Sequence, residues 1–345
     1  MGECRVTLSH YSGSSSKLYT VNCDQGTFTF KVVLPLAPKS RVLSEVATLS
    51  FVQENTTIPV PEVIAYDADL DNELGYEWIL LKHAHGRSFA DRWLELSWLQ
   101  KELLVRKIAD YVAQLSRLEL SGIGSIFQYN LSSGNTKGVE HVVGEYIGPY
   151  FYKGEHIQLN IHRGPYQASS EWLAAHMEFM LYDIAKWRAS DDDNDKELAV
   201  EVQKVYNKIQ LVIQQLFPEF DSEPTFLYPH NFNDHNIIVG DSGNLICILN
   251  WSGISAGPGW ASCQVPYFLD VDCVKYIPEP LNEEELNDES SVSLYQERIE
   301  DYEAWRLRAF FFEEVRRVEP KWVKTFKELT SKRDVIAAIE FAGNG

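Results

Sequence analysis

The stretch Phe226 to Trp260, FLYPHNFNDHNIIVGDSGNLICILNWSGISAGPGW, decides how the rest of the chain is read. It predicts a loop, a strand from Asn236 to Val239, and a turn through Asp241, Ser242 and Gly243. A second strand then runs from Asn244 to Leu249 and ends in Asn250 and Trp251. Two short apolar runs on either side of a glycine-containing turn read as a hairpin. This one presents a polar position before its first run and another after its second.

The layout resembles the catalytic segment of the aminoglycoside phosphotransferase family, relatives of the protein kinases. There an H-x-D-x-x-x-x-N loop precedes the hairpin and an Asp-Trp pair follows it. Laid on this chain, the family's histidine falls on Pro229, with His230 beside it. The catalytic-base aspartate falls on Asn231, the loop asparagine on Asn236 and the metal-binding aspartate on Asn250. Phosphoryl transfer in such a site uses one carboxylate to orient and deprotonate the acceptor hydroxyl, and a second to hold the bridging metal. An amide takes up no proton, and a hard cation prefers carboxylate oxygen. No metal is therefore expected at the family positions Asn236 and Asn250. In another register Asp234 stands in for the base, although the family spacing puts that acid five residues before the asparagine. The catalytic candidates are His230, Asn231 and Asp234; a histidine there is suited to acid–base work without ATP.

Working outward, residues 6 to 35 predict three strands, VTLSHYSG, SKLYTVNC and GTFTFKVVLP. The small residues Ser12 to Ser16 form a turn that either cradles an anion with its backbone N–H groups or simply closes a hairpin. Lys31 lies in the third strand. A helix is expected from Ser44, as N-cap, to Glu54, with Glu45 in its first turn. In the resembling family the serine turn lies over the ATP phosphates, and a strand lysine paired with a helix glutamate steadies them. The cofactor-binding candidates are thus Ser14, Ser15, Lys31, Glu45 and Lys82. Some members carry the basic residue two positions later, here Val33. If Lys31 and Glu45 meet, the pair is expected at a partly exposed site and worth about 1 kcal/mol or less. Lys82 stands where the family usually has an acid, beside the segment whose backbone meets the adenine.

The resemblance is strongest over 44–81 and 226–269, and it implies an α/β (α+β), bilobal, protein-kinase-like fold. Residues 1–82 make a β-rich N-lobe with one helix, 83–87 a hinge, and 88–345 a mainly helical C-lobe carrying the hairpin 226–260. Glu77 to Leu81 is expected as the central strand, in a strand pair within NELGYEWILLKHAHG. Leu99, Leu103, Leu104, Ile108, Tyr111, Val112 and Leu115 recur at helical spacing. Residues 121 to 168 read as loop-rich, with Tyr146, Tyr150, Phe151, Tyr152 and Tyr166 as either an aromatic ligand wall or ordinary packing. Helices follow at Glu171–Ala189, where His176 reads as a core residue, and at Lys196–Phe217 after a solvated Asp191–Asp195 link. Two more are expected at Leu294–Val318 and Lys321–Phe341, after an acidic loop from Pro278 to Ser291.

With 345 residues, 31 basic against 50 acidic and a net charge of -19, the surface disfavours nucleic acid and anionic membranes as partners. Five scattered cysteines without a C-x-x-C pair argue against a disulfide frame or zinc site and for a reducing compartment. No apolar run reaches the roughly 20 residues of a membrane span. The opening MGECRVTLSH lacks the apolar core of a signal peptide, and Val6 stands where myristoylation wants Ser or Thr. The expected localisation is cytoplasmic. The reading carried forward is a phosphotransferase-fold protein degraded for phosphoryl transfer, converting a small organic molecule in the ancestral cleft by a cyclisation or isomerisation, with no cofactor. The alternatives are an ATP- and magnesium-dependent small-molecule kinase and a non-catalytic binding protein. Oligomeric state is left open.

Overall fold

The structure is a computed structural model that describes every residue except 1–3, 9–14, 132–137, 218–222, 229–231, 275 and 343–345. Its first half-dozen elements form the N-lobe: β1 (Arg5–Leu8), β2 (Ser16–Cys23), β3 (Gly26–Val33), α1 (Ser40–Asn55), β4 (Val63–Asp67) and β5 (Glu77–Lys82). The strands make one antiparallel sheet in the order β1-β2-β3-β5-β4. In β5 the buried residues alternate, Glu77, Ile79 and Leu81, as a strand with one covered face requires. Lys31 lies opposite Ile79, and both it and Val33 are buried on the same side of β3. That side is the one α1 covers.

The helix begins four residues earlier than the sequence predicts, at Ser40, and Ser44 is buried within it rather than capping it. The cap is tertiary: the Lys39 amide donates to Glu77 Oε1 at 2.6 Å. A carboxylate brought from another strand satisfies the orphan donor that a local serine was expected to satisfy. The strand pairing also differs from expectation. The partner of β5 is β4, and the residues between them include the turn around Asn72–Gly75.

The chain crosses to the C-lobe at 83–86 and enters β6 (Arg87–Ser88), α2 (Phe89–Arg92) and α3 (Trp98–Leu115). The Ser97 hydroxyl and Gln100 side chain form a reciprocal capping box at the start of α3. Its buried face runs through Leu104, Ile108, Tyr111, Val112 and Leu115, whereas Leu99 and Leu103 point to solvent, contrary to expectation. Next come β7 (Glu119–Leu120), β8 (Gly124–Leu131), β9 (Gly138–Val143), α4 (Ser169–Ala189), α5 (Asp193–Leu216) and β10 (Thr225–Tyr228). The central hairpin is β11 (Ile237–Val239) and β12 (Leu245–Ile248), followed by β13 (Ser255–Pro258), α6 (Gly259–Ser262), α7 (Glu289–Val318), α8 (Pro320–Glu328) and α9 (Thr330–Ala342). A five-stranded sheet has the order β7-β10-β13-β8-β9, and a three-stranded one β12-β11-β6.

Three sequence expectations are corrected here. The region read as loop-rich contains the β8–β9 hairpin, whose register runs from Ile126 opposite Val143 to Leu131 opposite Gly138. The helix expected from Lys196 begins at Asp193, so the acidic run, though solvated as expected, is largely part of α5, which Asp192 caps by accepting from the Asn194 amide at 2.9 Å. The final stretch is two helices, broken at Leu329.

Apolar packing does not stop at the lobe boundary. One cluster joins Val33, Val46, Val52 and Ile79 of the N-lobe to Ile108, Ile237, Ile248 and Phe311 of the C-lobe. A second gathers α4, α5 and α9 with Tyr146, Tyr150, Phe151 and Tyr166. Tyr146, Tyr150 and Phe151 are buried against Trp172, His176 and Phe179 of α4, and Tyr166 is buried with its ring edge-on to His162, so these four pack the core.

His176 is 1% exposed in that cluster, its Nδ1 3.0 Å from the Trp172 carbonyl, and burial pushes its pKa down from 6.5 to about 4. The unfolded chain therefore takes up the proton first, so this group removes stability as pH falls below its unfolded value, until the folded value is passed. The expected loss from His176 is about 2 kcal/mol between about pH 7 and pH 5. His83 and His141 are depressed in the same direction by burial. Denaturant titrations of the wild type and His176→Leu at the two pH values isolate the His176 share; equal losses in both proteins would exclude it.

Candidate functional site

The candidate site residues fall on β3, on α1, on Ser15 just before β2, and at the ends of β11 and β12. Lys31 reaches across from β3 and donates to both oxygens of Glu45, at 2.7 and 2.8 Å. The side chains are 5% and 3% exposed. The pair meets as expected, but it is buried, not partly exposed. Strand alternation aims Lys31 into the face that α1 covers, and the early start of α1 places Glu45 in its second turn, above the sheet. Val33, two residues on, is fully buried in the apolar core. The two candidates for the basic position therefore divide between an ion pair and packing.

Gly86 explains how closely the connecting segment lies on the hairpin. A Cβ there would fall 2.6 Å from the Val239 carbonyl oxygen and 2.7 Å from Ile238 Cγ2. The strand β6 continues that contact by pairing with Ile238 and Val239. Lys82, at the end of β5, turns its exposed side chain to Glu62, 3.4 Å away. Its backbone amide donates to the Glu62 carbonyl at 2.9 Å. Next to it His83 is 2.9 Å from the Thr29 hydroxyl through Nδ1.

On the C-lobe side, the Leu249 amide donates to the Asn236 carbonyl at 2.8 Å, adding one rung to the β11–β12 ladder. That rung sets the loop asparagine beside the residue that precedes Asn250. Asn233 caps the short turn 234–236 by accepting from the Asn236 amide at 2.9 Å. Asn250 has a φ of 60°, a left-handed conformation that asparagine tolerates better than most side chains. Trp251 then anchors the segment: it is buried, and its indole N–H donates to the Ile248 carbonyl at 2.9 Å. Both family metal positions are thus held in a defined frame; Asn236 is the amide the family pattern has there, but Asn250 offers a neutral amide oxygen in place of a carboxylate. Without a carboxylate at position 250 the pair is a poor fit for a hard divalent cation, which such a site bridges through an aspartate. Among the described residues no group of three or more His, Cys, Asp or Glu side chains is placed to hold a metal.

His230, Asn231 and Ser14 lie outside the described residues. Asp234 begins the turn before β11, where it accepts from the His235 amide at 3.1 Å. The acid beside it is Glu300 of α7, whose pKa is raised chiefly by burial and further by the charge of Asp234. Ser15 is placed in the cleft, but by a residue that the sequence reading passed over. Arg41, in the first turn of α1, donates through Nη2 to the Ser15 hydroxyl and through Nε to the Ser252 hydroxyl at 3.1 Å. The available signal was its position four residues before Glu45, which puts both on one helix face.

Removing one member of a buried pair leaves the other charge unpaired in an apolar setting. Lys31→Met is expected to destabilise the fold by about 3–5 kcal/mol, and the double change Lys31→Met with Glu45→Leu to recover most of that. Urea unfolding of the three proteins checks this; a single variant as stable as the wild type would show that the pair is not tightly packed.

Comparison with known proteins follows the same lines. The model of the Phosphotransferase enzyme family (APH) matches residues 9–263. Among curated proteins, the "Altered inheritance of mitochondria protein 9, mitochondrial" of Yarrowia lipolytica is 27% identical over 262 residues, covering 67% of this chain and 45% of that protein. A subtelomeric hrmA-associated cluster protein of Aspergillus fumigatus is 28% identical over 165 residues, covering 46% of this chain and 32% of its own length. The chain thus spans less than half the length of these curated relatives. Among solved structures, the apo form of a thermostable mutant of aminoglycoside phosphotransferase APH(4)-Ia aligns over 99% of this chain and 94% of its own at 13% identity, with a TM-score of 0.48. Among the described residues no helix is long and apolar enough to cross a membrane. By the extent of the family match, and with the kinase-like arrangement of sheet, helix and hairpin described above, this chain belongs to the APH phosphotransferase family.

Proposed function

We propose that this protein binds a small organic molecule in the interlobe cleft and does not transfer a phosphoryl group to it from a metal–nucleotide complex. The observation that carries this reading is the contrast at the C-lobe side of the cleft. The β11–β12 ladder, the left-handed residue after it and the buried tryptophan form an ordered frame, while Asn250 carries an amide where the resembling family has its metal-binding aspartate; Asn236 is the asparagine that family itself uses. A drifting pseudo-site would be expected to lose the frame along with the acids. A frame kept without its metal-binding carboxylate is consistent with a cleft that still holds a ligand. Chemistry on that ligand, such as a cyclisation or isomerisation, falls in this reading to the loop before β11, with His230 as the acid–base group.

One observation favours a second reading, an ATP-dependent small-molecule kinase. The buried Lys31–Glu45 pair is the arrangement that steadies nucleotide phosphates in kinases. The two readings separate on metal dependence.

Calorimetry with ATP is expected to show no gain in affinity on adding millimolar magnesium. Micromolar binding that requires magnesium would overturn the proposal and install the kinase reading. Asn231→Asp together with Asn250→Asp is expected to create magnesium-dependent nucleotide binding, and Asn231→Asp alone to leave metal binding unchanged, because in phosphoryl transfer acceptor and metal are handled by separate acids. Should a small-molecule substrate be identified, His230→Ala is expected to abolish turnover while leaving binding intact. Unchanged turnover would remove His230 from the chemistry.

A further inference from the structure

We propose that Cys4 and Cys23 are a redox pair: a peroxide oxidant closes a disulfide between them and clamps the edge strand β1 to β2. The pair lies away from the interlobe cleft and does not depend on the reading of the cleft given above.

In the sequence the five cysteines are scattered, and no local motif joins any two of them. The fold joins two. β1 runs antiparallel to β2, with Arg5 opposite Asn22, Val6 opposite Val21 and Leu8 opposite Tyr19. One step back along the same ladder sets Cys4 opposite Cys23. Directly opposed residues of an antiparallel pair lie about 4.5–5.5 Å apart at Cα, whichever of the two pair types they form. A disulfide spans about 4.4–6.8 Å between the same atoms, so the ladder already supplies the spacing the bond needs. Both residues are free thiols, and they act on each other by charge and by a side-chain hydrogen bond.

The pair also faces the right way. Alternate residues of a strand share a face, so Cys4 lies with Val6 and Leu8, and Cys23 with Val21 and Tyr19. Across the next ladder these meet Phe28 and Phe30, on the side of β3 away from the buried Lys31 and Val33. Cys4 is exposed and Cys23 half-buried, which leaves them open to a small oxidant from solvent. Cys247 and Cys263 are different: both are buried, and burial pushes each thiol up to about 12, which leaves little thiolate to oxidise.

β1 is four residues long, exposed throughout, and paired only with β2 at the edge of its sheet. Such a strand opens locally at little cost. A bond between Cys4 and Cys23 ties down its N-terminal end and encloses the residues between them in one covalent loop. Hydrogen peroxide takes two electrons from one thiolate, giving a sulfenic acid and a hydroxide that takes up the thiol's proton. The second thiol attacks that sulfur; the S–S bond forms, the S–O bond breaks, and the oxygen leaves as water. Two thiols and one peroxide thus give one disulfide and two waters. Desolvation, Cys23 and the charge of Asp24 hold the Cys4 thiol above its usual value. A thiol of raised pKa is slow to ionise and slow to leave, which suits a lasting clamp better than a fast signal.

The test treats the reduced full chain with hydrogen peroxide, alkylates the remaining thiols, and reads intact mass and non-reducing peptide maps. The expected product has lost two hydrogens, links the Cys4 and Cys23 peptides, and reverts in dithiothreitol. Cys4→Ser and Cys23→Ser are expected to lose the link, and Cys273→Ser to keep it; the wild-type map decides the pairing even where a variant does not fold. Hydrogen exchange on both forms is expected to show the β1 amides slowed about tenfold or more by oxidation. Full alkylation of both thiols after peroxide would overturn the proposal. So would a sulfenic or sulfinic Cys4 that never passes to Cys23, or a bond from either residue to Cys273. Unchanged β1 exchange in a chain shown to carry the Cys4–Cys23 bond would overturn the clamp.

Discussion

The buried contact between Lys31 and Glu45 is the constraint on which the arrangement of the N-lobe depends. Neither charge can be left alone at 5% and 3% exposure, so β3 and α1 must hold their spacing to within a hydrogen bond's tolerance. The same requirement reaches backwards to Lys39, whose amide is capped by Glu77 from β5. It reaches forwards to Val46, Leu49 and Val52, which pack α1 against the sheet and carry its core into the C-lobe. Such a pair adds little net stability over an apolar equivalent, but it penalises every arrangement in which the two groups do not meet.

The second organising feature is the extent of contact between the lobes. β8 and β9 belong to a C-lobe sheet, yet they lean on α1, with the His141 ring edge-on to Phe51 at 5.5 Å. Gly86 and β6 press the hinge segment onto β11. With Arg41 bridging Ser15 and Ser252 as well, the cleft is bounded by contacts on several sides, and its geometry depends on the whole molecule instead of one loop. The amides at Asn236 and Asn250 sit inside this frame, and Asn250 adopts a left-handed backbone that a β-branched residue would resist. Exchanging an acid for its amide keeps size and backbone preference and removes only charge. Such an exchange removes the carboxylate while leaving the fold of the segment intact.

Much of this was legible in the residues themselves. The alternation of FKVV and EWILL announced strands, the spacing from Leu104 to Leu115 announced α3, and two short apolar runs around Asp241–Gly243 announced the hairpin, because each of these is a local pattern with its own period. The polar positions flanking the hairpin, and their being amides, are also properties of the sequence alone. What the sequence determined, then, was the identity and order of the elements and the chemical kind of each side chain offered to the cleft. Only the tertiary structure decided which of those side chains are buried and what they meet. Ser44 looked like a cap until Glu77 arrived from another strand to serve. The aromatic residues from 146 to 166 were open to two uses until α4 packed over Tyr146, Tyr150 and Phe151. Arg41 carried no local signal beyond its spacing to Glu45, and its partners lie 26 positions before it and 211 after it. Burial and long-side-chain pairing depend on contacts between segments remote in the chain, and no local period records them.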